Sequence, residues 1–80
     1  MEKRIGVVCI IVENKIRIAE LNEILSGAEG IITGRMGIPK RDSDISVISL
    51  IVEGSTDEIG AMTGKLGKLR GIQVKSVLHK

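Results

Sequence analysis

Phenylalanine, tyrosine and tryptophan are all missing from this chain. Single-strand binders and RNA-recognition sheets stack bases on aromatic rings, so their absence argues against that whole class of function. Cysteine and histidine are nearly as scarce. Cys9 has no second cysteine for an intrachain disulfide, and His79 is the sole imidazole, which leaves too few soft ligands for a closed zinc site. No metal and no other cofactor is therefore expected. Long apolar runs are lacking too. The longest, Ile5 to Val12, is interrupted by Gly6 and is far too short to span a bilayer. Met1-Glu2-Lys3-Arg4 ahead of it resembles the start of a signal peptide. Glu13-Asn14-Lys15 follows, however, where a small-residue cleavage site would be required. The run reads as a first β-strand, and a cytoplasmic location with no membrane contact is expected.

The charge balance is close to even. A net +2 neither demands nor excludes nucleic acid, and no DNA-reading helix or basic arm is present, so direct contact with nucleic acid is not expected. The chain has 42% hydrophobic and 28% charged residues, the balance of an ordinary globular domain. Its 80 residues make a single domain, 1–80. At that size folding hides only about 60% of the surface of the unfolded chain. Small domains compensate with disulfides, a metal or a partner chain. With the first two set aside, association remains.

The elements are legible in order. Arg4 to Val12 is almost continuous in Ile, Val and Cys, as in a strand buried on both faces. Asn14 can cap a helix in which Ile18, Leu21, Ile24, Leu25 and Ala28 form one stripe. Gly27 or Gly30 ends that helix. Ile31 to Ile38 reads as a second strand, with Ile32, Met36 and Ile38 on one face and Thr33 and Arg35 on the other. Pro39 closes it, and Lys40 to Asp44 is a polar turn. Ile45 to Glu53 is a third strand, again apolar at both parities. Ser55-Thr56-Asp57-Glu58 fits a capping box, and Ile59, Met62, Leu66 and Leu69 follow as a buried stripe. Gly71 stops this helix. Ile72, Val74, Ser76 and Leu78 then alternate with Gln73 and Lys75 as a fourth strand.

The order β-α-β-β-α-β predicts a ferredoxin-like α+β sandwich, a four-stranded antiparallel sheet with two helices on one face. Strands one and three are its centre, and strands two and four its edges. That assignment agrees with the doubly apolar pattern of one and three.

These runs resemble a known family, the small proteins labelled iron-only hydrogenase system regulators, of the ACT-like superfamily. The likeness spans essentially the whole chain. It rests on Gly34-Arg35-Met36-Gly37-Ile38-Pro39, Ile45 to Val52, Thr56-Asp57-Glu58-Ile59 and Thr63 to Gly67 through Gly71 to Ser76. It implies a regulatory role linked to a hydrogenase assembly system, and it carries no mapped site residues. The nickel-responsive repressor's C-terminal domain shares the superfamily but binds metal through several histidines and a cysteine. ACT domains that bind amino acids often carry Asp and Gly after strand one, where this chain has Glu13-Asn14-Lys15-Ile16. Neither ligand chemistry transfers.

Few residues are candidates for chemistry. Cys9, inside a central strand, reads as a small packed hydrophobe, and His79 as a solvated tail residue. No serine has an identifiable base, and Gly34-x-x-Gly37 and Gly64-x-x-Gly67 lack the setting of a phosphate loop. No catalytic residue is assigned, and an enzyme is not expected. Gly60, Gly64 and Gly67 recur along the second helix, roughly 140° from its apolar stripe at 100° per residue, which suggests a close-contact surface. Arg35 and Lys75, on the outer side of opposite sheet edges, with Lys40 and Arg41 in the turn, are candidate contacts for an anionic effector. Ordinary edge charges that discourage aggregation are the stronger explanation of the same residues.

The expectation is a non-catalytic regulatory or ligand-sensing domain. It would be a homo-oligomer, dimer or tetramer, through the sheet face the helices leave open, with a protein partner or small effector in addition. A structural interaction module without ligand, or a metal-responsive sensor using Cys9, are the alternatives. Which parity of the central strands faces outward is not decided by sequence.

Overall fold

The computed structural model describes residues 3–13, 18–39 and 45–79. Strand β1 (Arg4–Val12) leads to helix α1 (Ile18–Gly27), strand β2 (Ile32–Pro39), strand β3 (Ser46–Gly54), helix α2 (Thr56–Gly67) and strand β4 (Ile72–Leu78). All pairings are antiparallel, in the order β2-β3-β1-β4. The two doubly apolar strands are central, as their composition requires. Asn14 and the turn from Lys40 to Asp44 lie outside the described residues.

Parity is now fixed. Val8, Ile10 and Val12 of β1 and Ile48, Leu50 and Val52 of β3 point into the helix-covered core, where Leu21, Leu25, Ile59, Met62 and Leu66 meet them. Burial of each such side chain contributes about 1.5–3 kcal/mol. Leu69 is only partly buried at the margin of this core.

Helix α2 begins as its sequence demands. Glu58 N–H donates to Ser55 Oγ at 3.1 Å, and Ser55 N–H donates to Glu58 Oε1 at 2.9 Å, a complete capping box. The backbone N–H of Ser55, and next its side chain, hold Glu58 below the usual carboxylate range. A depressed carboxylate adds stability above its unfolded pKa and loses it as pH falls through the folded value. Ser55→Ala should lower stability by about 1 kcal/mol. The neutral variant Glu58→Gln should be less stable than the wild type at neutral pH, and the acid unfolding curves of the two should draw together as pH falls through the depressed folded value; a gap that stays constant would show that the carboxylate's charge takes no part.

The helix ends earlier than Gly71. It stops at Gly67, and a turn carries the chain to Gly71, whose φ of 81° is the conformation that favours glycine. In β2, the pairing steps from Ile32↔Val52 to Gly34↔Ile51, so Thr33 is an extra residue. Its hydroxyl donates to Ile51 O at 3.2 Å. This bulge reverses the faces expected for the strand. Ile32 stays on the helix side with Val52, whereas Met36 and Ile38 pair with Ser49 and Val47 and turn to the open side.

Candidate functional site: the open face of the sheet

The cross-strand registers lay out the uncovered face row by row. One row reads Val77, Val7, Ile51 and Gly34 across the four strands; the next reads Lys75, Cys9, Ser49 and Met36; the third reads Gln73, Ile11, Val47 and Ile38. Ile5 extends the face beyond the first row, beside Glu53. Val77 is 74% exposed, Met36 64% and Ile38 58%, and Ile5, Ile11, Ile45, Val47 and Ile51 are exposed as well. With ordinary residue areas these side chains present roughly 700 Å² of apolar surface, above the roughly 300–600 Å² of the largest patch on a typical monomer. Polar groups stand at the margin: Lys75 and Gln73 on β4, Glu13 (which accepts from Gln73 Nε2 at 3.4 Å) and Glu53.

Two expectations are corrected here. Cys9 does not pack in the core; it is exposed in the middle row of the open face. Arg35 does not project from the outer side. It pairs with Leu50 on the helix side, and its Nη2 donates to Asn22 Oδ1 of α1 at 3.4 Å. Lys75 pairs with Cys9 on the open side. The two described members of the effector set thus stand on opposite faces at opposite edges, and Lys40 and Arg41 lie outside the described residues. Nothing described brings them together. The polar rim around the open face consequently lacks Arg35, and on the β2 side it is apolar to the edge, through Met36 and Ile38. Sequence reading missed those two because strand alternation was carried straight through Thr33. The glycine that follows, Gly34, was the available sign of a bulge.

Gly60, Gly64 and Gly67 are exposed, and beyond the adjoining residues and backbone of its own helix a Cβ at any of them would meet nothing within 4 Å. Three helical glycines disfavour the helix by about 2–3 kcal/mol relative to alanine, and nothing inside the subunit requires them. A cleft of about 660 Å³ lies between α1 and α2, and Ile24 and Met62, the carboxylates of Glu20, Glu23 and Glu58 and the ammonium of Lys65 are among the groups that line it. Among the described residues no group of three metal-ligating side chains occurs. Cys9 and His79 lie along β1 four positions apart, since His79 N–H bonds Ile5 O at 2.9 Å. That separation is about 13 Å along the strand, too far for one ion within a subunit. No described helix is long and apolar enough to cross a membrane.

The family model described as "TM1266-like: Iron-only hydrogenase system regulator, putative" matches residues 4–76. The chain belongs to this family. Among solved structures, the uncharacterized protein TM1266 from Thermotoga maritima superposes with a TM-score of 0.93 at 35% identity, covering 99% of this chain and 100% of that one. A PII-like signalling protein from Thermus thermophilus has a TM-score of 0.60 at 16% identity, covering 99% of this chain and 92% of that one. A formyltetrahydrofolate deformylase from Pseudomonas putida has a TM-score of 0.65 at 9% identity, over 91% of this chain and 28% of that enzyme. The last two show a shared ferredoxin-like fold and nothing of chemistry. No curated protein matches. Membership in the TM1266-like family supports a regulatory role.

Proposed function

We propose that this TM1266-like chain is a non-catalytic regulatory subunit of an iron-only hydrogenase system, acting as a homo-oligomer whose copies stack through the open sheet face. The observation that carries the self-association is the aliphatic face itself. Stacking two copies would bury on the order of 1,400 Å², within the standard size of stable protein interfaces. Sheets stack at about 10 Å with interdigitated side chains, and the rows of Val and Ile on this face supply them. The polar margin at β4 fits the rim of such a contact. A second copy presents the same patch, so one interface satisfies both chains. The link to hydrogenase is supported by the family membership and by nothing in the geometry.

Removing the chain from its source cells, and restoring it, tests the role. Loss should change the amount of active iron-only hydrogenase several-fold. The wild-type chain should restore it, and Val47→Lys, aimed at the stacking face, should not. Unchanged hydrogenase activity in the absence of the chain would refute the role. Full restoration by Val47→Lys would refute the need for face stacking.

A further inference from the structure

The two edges of the sheet are unlike. β2 carries the bulge at Thr33, glycines at 34 and 37, and Pro39 at its end, all features that blunt an edge. β4 has none of these between Ile72 and Leu78, and it pairs with β1 without interruption. The bonds that extend this ladder fix its phase: Glu13 N–H to Gly71 O at 2.7 Å, and His79 N–H to Ile5 O at 2.9 Å. Odd-numbered residues of β4 therefore bond inward to β1. The N–H and C=O groups of Ile72, Val74, Ser76 and Leu78 point outward from the sheet.

Helix α2 packs beside this edge. Its Ile59, Met62 and Leu66 face the sheet, and its Glu58, Ala61 and Lys65 face α1 across the cleft. At about 100° per residue the glycines 60, 64 and 67 occupy the remaining side, away from α1 and above the β4 edge. The open edge and the unexplained glycines thus lie next to each other.

We propose that a second copy of the chain pairs with β4 edge to edge. The strands would run antiparallel about a two-fold axis, joining two four-stranded sheets into one of eight. The glycine lines of the two α2 helices then meet across the axis, where the missing side chains permit close approach. Lys75 selects the register. An axis through Lys75 would set it against its own copy in a non-hydrogen-bonded pair, where side chains stand closest and like charges repel. A shift of one residue puts the axis at Val74 or Ser76, and Lys75 then lies beside the partner chain's copy of Gln73 or Val77. This contact is separate from face stacking, and neither requires the other.

Ser76→Pro tests the edge. It removes one outward N–H and no bond to β1, a placement that proline tolerates. The variant should melt cooperatively near the wild-type temperature, and its sedimenting mass should be half that of the wild type. Gly64→Leu, which fills the helix contact, should act in the same way. A folded Ser76→Pro of undiminished mass would overturn the proposal. A second measurement covers the case in which Ser76→Pro does not fold. On a Cys9→Ser background, Val74→Cys and Ser76→Cys are oxidised in separate samples. Opposed residues of a hydrogen-bonded pair have Cα atoms about 5.5 Å apart, within disulfide reach, so one of the two should yield a covalent dimer. Absence of a dimer at both positions would overturn the edge pairing. Val47→Lys, introduced alongside, should leave that cross-link intact while lowering the mass, and this separates failure of the edge from failure of the stacking face.

Discussion

Val47→Lys should give a folded subunit that no longer stacks, and Ile48→Lys should give no folded subunit. The two residues are neighbours on β3 and point to opposite faces. Ile48 is 7% exposed and pairs with Ile10, which is fully buried. Among the described residues, Ser55 is the only buried polar one, so an ammonium at position 48 would find no partner. Burying an unpaired charge costs several kcal/mol, a large part of the roughly 5–15 kcal/mol that holds a domain together. Val47 is 41% exposed between Ile11 and Ile38. A lysine there lays its stem on the sheet and keeps its ammonium in water. Within a stacked pair the same ammonium would be desolvated. Circular dichroism melting and sedimentation velocity measure both effects. A Val47→Lys protein that keeps the wild-type mass would show that the face is not an interface. An Ile48→Lys protein that melts like the wild type would contradict the assigned parity.

Gly6→Ala should destabilise the subunit by about 2–3 kcal/mol, as overpacking does, whereas Gly64→Ala should stabilise its helix by about 1 kcal/mol. A Cβ at Gly6 would lie 2.5 Å from Val77 O and 2.5 Å from Leu78 Cδ2. The leucine tip can rotate away, but the carbonyl cannot move unless β4 moves with it. At Gly64 a Cβ enters open space. Denaturant unfolding of both variants, made in a Val47→Lys, Ser76→Pro background so that neither face stacking nor edge pairing enters, reads the shift in midpoint at constant slope. A Gly6→Ala variant as stable as its parent would mean that β4 yields at no cost. Equal losses at both positions would mean that Gly64 also serves the isolated subunit.

The elements and their order could be read from the chain because each has a local cause. The stripe at Leu21 and Leu25 and the box of Ser55 and Glu58 act within one or two helical turns. The doubled apolar pattern of β1 and β3 is local as well, and it placed those strands at the centre. The turn geometry at Gly71 was located less well: the helix ends at Gly67, because a glycine within the last turn is as permissive as the one that follows. The candidate surfaces were legible as apolar surplus and as a glycine line, but their directions were not.

Direction is a property of packing between distant segments. Alternation along β1 says that Val8 and Cys9 face opposite ways; only the helices lying over Val8, Ile10 and Val12 decide which way is inward. The bulge at Thr33 depends on the pairing of β2 with β3, and by inserting one residue it turned Arg35 to the helix side and Met36 and Ile38 outward. Gly6 looked like an interruption of an apolar run, and its necessity exists only against Val77 and Leu78, at the far end of the chain. The sequence by itself determined the periodicities, the caps and the surplus of aliphatic side chains, since these follow from neighbours within a few residues. The tertiary structure alone decided which of those side chains are left in water, because that depends on what the rest of the chain has already covered.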